Sequence, residues 1–455
     1  LSALSPQDLQ QLQAHGIGAA EAQRQAGLLA APPPPMRLAR PCTVGDGILR
    51  LDAAAQADAE ARGAQLLKSS RAAKFVPASG AATRMFKDLL GALEADGGMP
   101  PAPVAELLNH ADRFAFYGAW KEALGDDSDK AFNMRLAQGG WREALQALLF
   151  EPGLGYAAAP KAFLDFHLVE GRARTALEEH WLEVAQLPLK RLHFTVSPEH
   201  EAGYHARVGG LRPLMSFAGA GWVDLGYSFQ DPGTDTLAGD GQGGLFRDDA
   251  GRLVLRPGGH GSLIRNLQAL GAAADVAVLK NIDNIAHPRL WAQSLRWKRV
   301  LAGVLAQTLE GGWDRPVRVC GVVPNTGEPG GGPFWVQGEE GESAQIVESA
   351  QMGLGDPAQA SVFKAATHFN PVDLVCRLTD KDGQPFDLDA FVDPSAVFLS
   401  QKTHLGRPLI ALERPGLWNG AMAKWKTVFV EVPLETFNPV KTVLDLLKPA
   451  HQPEA

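Results

Sequence analysis

Residues 79–84 read Ser-Gly-Ala-Ala-Thr-Arg, after the apolar pair Phe75-Val76 and before a helical-looking run that carries Lys87. A strand-to-helix junction stripped of side chains lets backbone N–H groups approach an anion, and a helix start adds partial positive charge there. Arg84, expected in the first helical turn, would offer the same anion a forked donor set that is always charged. The chemistry served is phosphate binding, with Ser79, Gly80, Ala81, Ala82 and Thr83 as the backbone cradle. A small-residue turn for close helix–strand packing, with Arg84 in solvent, fits the same letters. Neither GxxxxGK[ST] nor a GxGxxG following a strand occurs, so the common nucleotide-loop fingerprints are excluded.

Two further groups have types and spacing suited to chemistry. Gly258, Gly259 and Gly261 surround His260 just ahead of a helical stretch, which is more glycine than a helix cap at Ser262 requires. In "VAVLKNIDNIAHP" an apolar strand runs out into polar residues, placing Asp283 where open α/β sheets put their chemistry. Asp283 and Asn284 also fit a turn that bonds its own backbone. Gln230, in "QDPGTDT", fits either a nucleotide base edge or a strand-ending turn. "HEAGYH" misses the zinc spacing, because Tyr204 holds the second ligand position. "DKDG" (380–383) reads as a hairpin turn, and no GxSxG nucleophile elbow is present.

The elements that must position these residues alternate. "RLHFTVS", "GWVDLGYSFQ", "RLVLRPGG", "ADVAVLKNIDN" and "VRVCGVV" are strand-like, with helical stretches or turns between them. That alternation predicts an α/β sheet layered between helices. Ser5 and Pro6 open a short N-terminal helix that Gly16 closes, "APPPPMRLARP" (31–41) reads as a stiff connector, and Ala53 to about Ser69 as another helix. Residues 83–150 are mostly helical, and the last third adds loops and the strands "SAVFLSQ" and "KTVFVEVP". The chain has 455 residues, 45% hydrophobic and 21% charged, enough for two or three domains. A net charge of −8 argues against general binding of nucleic acid or an anionic membrane, so any anion site is local. Three widely spaced cysteines suit a reducing compartment, and no apolar run reaches the length of a membrane span. A cytoplasmic protein is expected.

"VPASGAATRM" resembles the signature of the sugar-nucleotide pyrophosphorylases, in which Ser79, Gly80 and Ala82 stand for three glycines and Thr83-Arg84 match. "PKAFLDFH" (160–167) resembles that family's second element, whose lysine contacts phosphate; here it is Lys161. The helical stretch around 96–155 separates the two, which makes Lys87 a rival for that role. Pro160 and the apolar "AFLDF" favour Lys161. Blocks such as "HFTVSPEH", "RPGGHGSLI", "KNIDN", "EPGGGPFWV", "THFNPVDLV" and "PGLWNGAMAKW" resemble, along nearly the whole chain, an uncharacterised bacterial family of the same superfamily.

The resemblance implies a Rossmann-like mixed sheet sandwiched by helices, a GT-A-like nucleotidyltransferase core. Segments expected are a helical N-terminal extension (1–70), the core (71–323, with a helical insertion near 96–155) and a C-terminal α+β sugar-side region (324–455). It implies a nucleotidyltransferase joining a nucleoside triphosphate, UTP as first choice, to a sugar 1-phosphate. Arg84, Lys161 and Asp283 would be catalytic, Asp283 binding Mg²⁺. The stretch around Gly259, His260 and Gly261 would face the nucleotide, and Glu328, Glu348, Asn370 and Lys402 the sugar. A glycosyltransferase using Asn281-x-Asp283 as its metal motif, or a non-catalytic nucleotide or sugar sensor, remains open at this stage.

Overall fold

Local sequence sets the first elements. In the computed structural model, which describes residues 4–80, 82–217, 223–327, 331–338 and 341–453 (side chains of 212–217 and 370–372 excepted), Ser5 caps the helix Pro6–Ala14. Its hydroxyl accepts from the Asp8 N–H while the Asp8 carboxylate accepts from the Ser5 N–H, a reciprocal cap. Asp52 caps Ala53–Ser69 in the simpler way, through the Ala55 N–H. The connector is not wholly a connector. Its end, Leu38–Pro41, is a strand paired antiparallel with Gly332–Gly338, because Leu38 buries itself against Phe334 and Val336.

The chain packs as two units, each discontinuous in sequence, whereas the expected segments are contiguous. The first comprises Leu1–Ala73, Ser228–Leu279 and Lys298–Leu434. Its main strands run in the order Thr43–Val44, Gly47–Leu49, Lys426–Glu431, Val317–Pro324, His368–Arg377 and Val276–Leu279. The first four are mutually parallel, and His368–Arg377 is antiparallel to both its neighbours, so the sheet is mixed. Val317–Val323 is buried throughout, as a strand covered on both faces should be. Helix Ala53–Ser69 meets the helix that runs on from Lys298 backbone to backbone. A Cβ on Gly63 would lie 1.7 Å from the Arg299 carbonyl oxygen, and one on Gly303 1.8 Å from that of Ala59. A smaller sheet, Leu255–Arg256, Thr236–Gly239, Arg407–Glu413 and Phe398–His404, carries the N-terminal helices on Leu237, Leu245 and Leu253. "RLVLRPGG" yields a short strand, Leu255–Arg256, preceded by an isolated antiparallel bridge of Leu253 with Arg247.

The second unit comprises Lys74–Tyr227, Lys280–Trp297 and Glu435–Ala455. Strand Ala72–Pro77 neighbours Arg191–Val196, and a helical array fills the region expected to be helical. That array closes on Phe116, Trp120, Phe132 and Tyr156, with the Trp120 indole N–H donating to the Ala144 carbonyl at 2.7 Å. Helix Ala176–Ala185 is unusual in burying Glu178, Glu179, His180 and Glu183. Glu183 is enclosed between Lys74 and Lys280, and His180 Nε2 lies 3.1 Å from the Ile282 carbonyl. A polar core therefore sits directly under the turn that bears Asp283. Among the described residues no helix is long and apolar enough to cross a membrane.

Candidate functional site

In the second unit, strand Ala72–Pro77 ends and the small-residue segment begins. The Ser79 carbonyl accepts from the Ser197 hydroxyl at 2.7 Å, and the Ala82 N–H donates to the Ala159 carbonyl at 2.9 Å. The Thr83 hydroxyl donates to the Ala157 carbonyl at 3.1 Å. These bonds lay the segment along residues 157–159, immediately ahead of Pro160-Lys161. Gly80 is exposed with no positive φ, and a Cβ there would meet nothing within 4 Å. Close packing therefore does not explain glycine at this position. Ala81 lies outside the described residues.

Two expectations for this loop change. Ala82–Arg84 forms a 3-10 turn and the α-helix opens only at Lys87, so Arg84 precedes the helix and the N–H groups at the helix start belong to residues beyond it. The Ala82 N–H is spent internally rather than offered to a ligand. Residues 157–159 return against the loop and take up the Ala82 N–H and the Thr83 hydroxyl. Arg84 is exposed, and among the described residues its side chain makes no hydrogen bond or ion pair.

Lys161 begins a 3-10 turn after Pro160. Its ammonium lies 2.9 Å from Asp283 Oδ2 and 2.9 Å from the Val440 carbonyl. Lys441, which the sequence reading did not single out, lies 3.5 Å from the same carboxylate oxygen. Burial pushes the Asp283 carboxyl up, but the charges and hydrogen bonds of Lys161 and Lys441 outweigh it, leaving the pKa below the ordinary value. The C-terminal segment is tied to each part of the group. Val440 N–H donates to the Asp283 carbonyl at 2.9 Å, Asn438 N–H to Asn284 Oδ1 at 2.9 Å, and Val443 N–H to the Met85 carbonyl at 3.1 Å. Lys441 has no motif around it; only the pairing of its segment with residues 283–284 reveals it.

One hard carboxylate oxygen suits Mg²⁺ if phosphate oxygens and water complete its shell. Among the described residues no three His, Cys, Asp or Glu side chains gather for a metal. The donor set thus fits a cation that arrives with a phosphate ligand, not one caged by protein alone.

A different polar group forms in the first unit. His260 Nδ1 accepts from the Leu417 N–H at 3.0 Å, which puts the ring proton on Nε2, 3.7 Å from a Glu348 carboxylate oxygen. Burial lowers the His260 pKa, with Glu348 and Glu413 pulling the other way. Gly259 has φ 78° and Gly261 sits where a Cβ would come 2.0 Å from the Pro415 carbonyl, so here glycine is required by the backbone and by close approach. Glu348 caps the 3-10 turn Ser349–Gln351 reciprocally with Gln351. Lys402 is 3.7 Å from Glu413, which also accepts from the Ser400 hydroxyl at 2.8 Å. The structure thus gathers His260, Glu348 and Lys402 from distant blocks and adds Glu413. Gln230 is turned instead to Asp235 of the following turn, at 3.5 Å. Glu328 and the side chain of Asn370 lie outside the described residues.

The family model described as a domain of unknown function, DUF4301, matches residues 5–313 and 305–452. The chain belongs to the DUF4301 family. No curated protein sequence matches it. Among solved structures, this DUF4301 chain is similar to the UDP-glucose phosphorylase from Trypanosoma brucei: TM-score 0.52, 15% identity, covering 98% of this chain and 78% of that one. It is also similar to the uridine diphosphate N-acetylglucosamine pyrophosphorylase from Trypanosoma brucei, solved with an inhibitor: TM-score 0.51, 13% identity, covering 97% and 79%. The DUF4301 chain therefore has a nucleotidyltransferase-like α/β fold of the pyrophosphorylase kind.

Proposed function

We propose that this protein is a sugar-1-phosphate nucleotidyltransferase, joining a nucleoside triphosphate and a sugar 1-phosphate to give a nucleotide sugar and pyrophosphate. The observation that carries the reading is the meeting of three segments distant in sequence, around 79–84, 161 and 283, in one unit of a pyrophosphorylase-like fold. The balance of the step suits the residues present. An oxygen of the sugar phosphate attacks the α-phosphorus, the bond to the bridging oxygen breaks, and pyrophosphate leaves. The attacking phosphate is already anionic, so no activated Ser, Cys or His is needed, and the work is positioning and charge neutralisation.

Arg84 would hold the triphosphate, its guanidinium having no hydrogen bond or ion pair among the described residues, and Lys161 would exchange Asp283 for the phosphates around the reacting centre. Asp283 would hold Mg²⁺, which when bound supplies charge neutralisation at phosphate oxygens. In the first unit, Glu348, Glu413 and neutral His260 offer acceptors and a donor of the kind that binds hydroxyl groups of a sugar or nucleoside. UTP is the first triphosphate to try, since the two structural relatives are named for uridine nucleotides. A screen of nucleoside triphosphates against sugar 1-phosphates, reading pyrophosphate, tests the reading. Release of a free nucleoside diphosphate from a nucleotide sugar plus acceptor, without pyrophosphate, would instead indicate a glycosyltransferase. Nucleotide binding with no turnover of either kind would indicate a sensor.

A further inference from the structure

We propose that a cavity in the first unit binds a small phosphate monoester, through residues distinct from those of the Asp283 and His260 groups. The cavity measures about 410 Å³, and Glu21, Arg24, Arg265, Asp389, Arg414 and Lys424 line it. Binding there does not depend on the transferase reading.

Four cations converge on the cavity from four places in the chain: the helix Ala19–Ala30, the helix Ile264–Gly271, the end of the strand Arg407–Glu413 and the turn Gly420–Met422. Three acids answer them. Glu21 accepts a forked pair from Arg24, at 2.8 and 2.9 Å, and a further bond from Arg414 at 3.1 Å. Arg265 donates to Asp231 at 2.7 Å and makes a loose ion pair with Asp389 at 3.5 Å. Lys424 is exposed, and among the described residues its ammonium has no hydrogen bond or ion pair. Its backbone N–H donates to the Phe391 carbonyl at 3.2 Å, which fixes its place. Burial lowers the Arg414 pKa; Glu21 opposes this, while Arg265 and Arg24 add to it. The guanidinium groups are crowded, and an anion among them would relieve the crowding.

The backbone divides this cavity from the acceptor-rich group. Glu413 pairs with Lys402, whereas Arg414, the next residue, turns to the Thr234 carbonyl at 2.6 Å and to Glu21. Consecutive residues of an extended chain face opposite ways. Gly261 lines the cavity in the same manner, while the His260 ring meets the Leu417 N–H.

Charge and volume select the ligand class. Guanidinium forks match phosphate oxygens, and a lysine adds a mobile point charge. Four cations against three acids leave one positive charge. Half-exposed Asp389, in its loose pair, is the group a ligand would displace. Its departure raises the surplus to two, which matches a phosphate monoester near neutral pH. The volume exceeds that of a phosphate group, and Val392 and Pro394 in the lining offer apolar contact to a short carbon skeleton.

The test is calorimetry on the whole protein in EDTA, with glycerol phosphate as the probe and succinate as the carboxylate control. Glycerol phosphate should bind saturably and more tightly than succinate. Arg265→Gln combined with Lys424→Gln should weaken that binding by at least about tenfold, the scale of one charge-assisted contact. Lys161→Gln should keep a binding event of the parent's affinity. Asp389→Asn should tighten binding, because the competing anion is gone. Lys424→Gln alone breaks no pairing of the fold, so it should still weaken binding if the double variant fails to fold. Absence of saturable binding, or binding lost in Lys161→Gln and kept in the double variant, would overturn the site. Equal affinity for succinate would overturn the phosphate assignment, and weaker binding in Asp389→Asn the displacement that supports it. Pyrophosphate release without glycerol phosphate binding would sink this site and leave the transferase reading intact; binding at the cavity without pyrophosphate release would do the reverse.

Discussion

The Asp283 group and the His260 group use similar residue types with opposite stoichiometry. Around Asp283, two lysines share one carboxylate, and Arg84 in the same unit makes no side-chain hydrogen bond or ion pair among the described residues. Around His260, Glu348 faces the imidazole Nε2 and Glu413 pairs with Lys402, while the imidazole Nδ1 accepts from the Leu417 N–H, which leaves Nε2 as the donor. An excess of cations prepares a site for phosphate, because the incoming anion brings the missing charge. An excess of acceptors beside a neutral donor suits hydroxyl groups and would repel phosphate. Counting lysines and acids along the sequence does not separate the two. What separates them is which charge is left over after the protein's own pairs are made.

The largest expected effect probes the single acid of the cation-rich group. Asp283→Asn keeps an oxygen to accept from Lys161 but removes the negative charge that faces Lys161 and Lys441. Turnover with Mg²⁺ should fall by at least about a hundredfold, the scale seen when one preorganised charge-stabilising group is removed. The thermal midpoint should stay nearly unchanged. Full activity in this variant would take Asp283 out of the chemistry and leave its pairing with Lys161 as structure only.

Next in size is Lys161→Ala. Loss of a charge-assisted phosphate contact costs about 1.5–3 kcal/mol, so kcat/KM should drop by roughly ten- to a hundredfold. Circular dichroism and a thermal melt guard against misreading a folding defect, since Lys161 also bonds the Val440 carbonyl. A loss confined to KM for the sugar phosphate, with kcat kept, would place Lys161 on uniform substrate binding rather than on the reacting phosphates.

The two groups were also unequally legible. Arg84, Lys161, Asp283 and His260 carry local signals: small residues before an arginine, a proline before a lysine, a strand running into polar residues, glycines around a histidine. Helix Ala53–Ser69 and the strand Arg191–Val196 were legible for the same local reason, a cap or an alternation readable within a few residues. Lys441 and Glu413 have no such signal. They reach their groups through long-range pairing, Lys441 through the contact of residues 438–440 with 283–284, and Glu413 through a strand facing Phe398–His404. Helix Ala176–Ala185 is harder still. "ALEEHWLEVA" has the letters of a solvent-facing helix, yet its acids are buried because Lys74 and Lys280 come to Glu183 from other segments. The helix start expected at Arg84 comes at Lys87 instead, after a 3-10 turn whose Ala82 N–H and Thr83 hydroxyl are taken by residues 157–159.

For the acceptor-rich group the test is Glu348→Gln. Gln retains hydrogen-bonding capacity and can keep part of the cap on residues 349–351, so the fold should persist. Replacing a charged acceptor of a hydroxyl by a neutral one should raise KM for the sugar phosphate by about tenfold or less, with kcat nearly kept. The comparison predicts that this variant binds inorganic phosphate no worse than the parent protein. Loss of phosphate binding here would show that the leftover charge does not assign the ligand.

The smallest effect is expected at Lys87, and it sharpens the comparison from the other side. Lys87 is a cation close to the small-residue loop in sequence, and it was the rival to Lys161. It opens the helix Lys87–Glu94 and is exposed, and its side chain has no hydrogen bond or ion pair among the described residues. A cation at a helix N-terminus opposes the macrodipole, at a cost of about 0.3–1 kcal/mol. Asp88 in the same turn offsets part of that cost. Lys87→Ala should therefore leave the thermal midpoint level or slightly raised. An exposed charge without a fixed partner contributes about 0–1 kcal/mol, so kcat/KM should change by less than about fivefold. The contrast with Lys161→Ala is the informative quantity. If Lys87→Ala proves the more damaging of the two, the phosphates lie over residues 79–87 alone. The lysines at Asp283 would then be holding the C-terminal segment in place rather than waiting for a substrate.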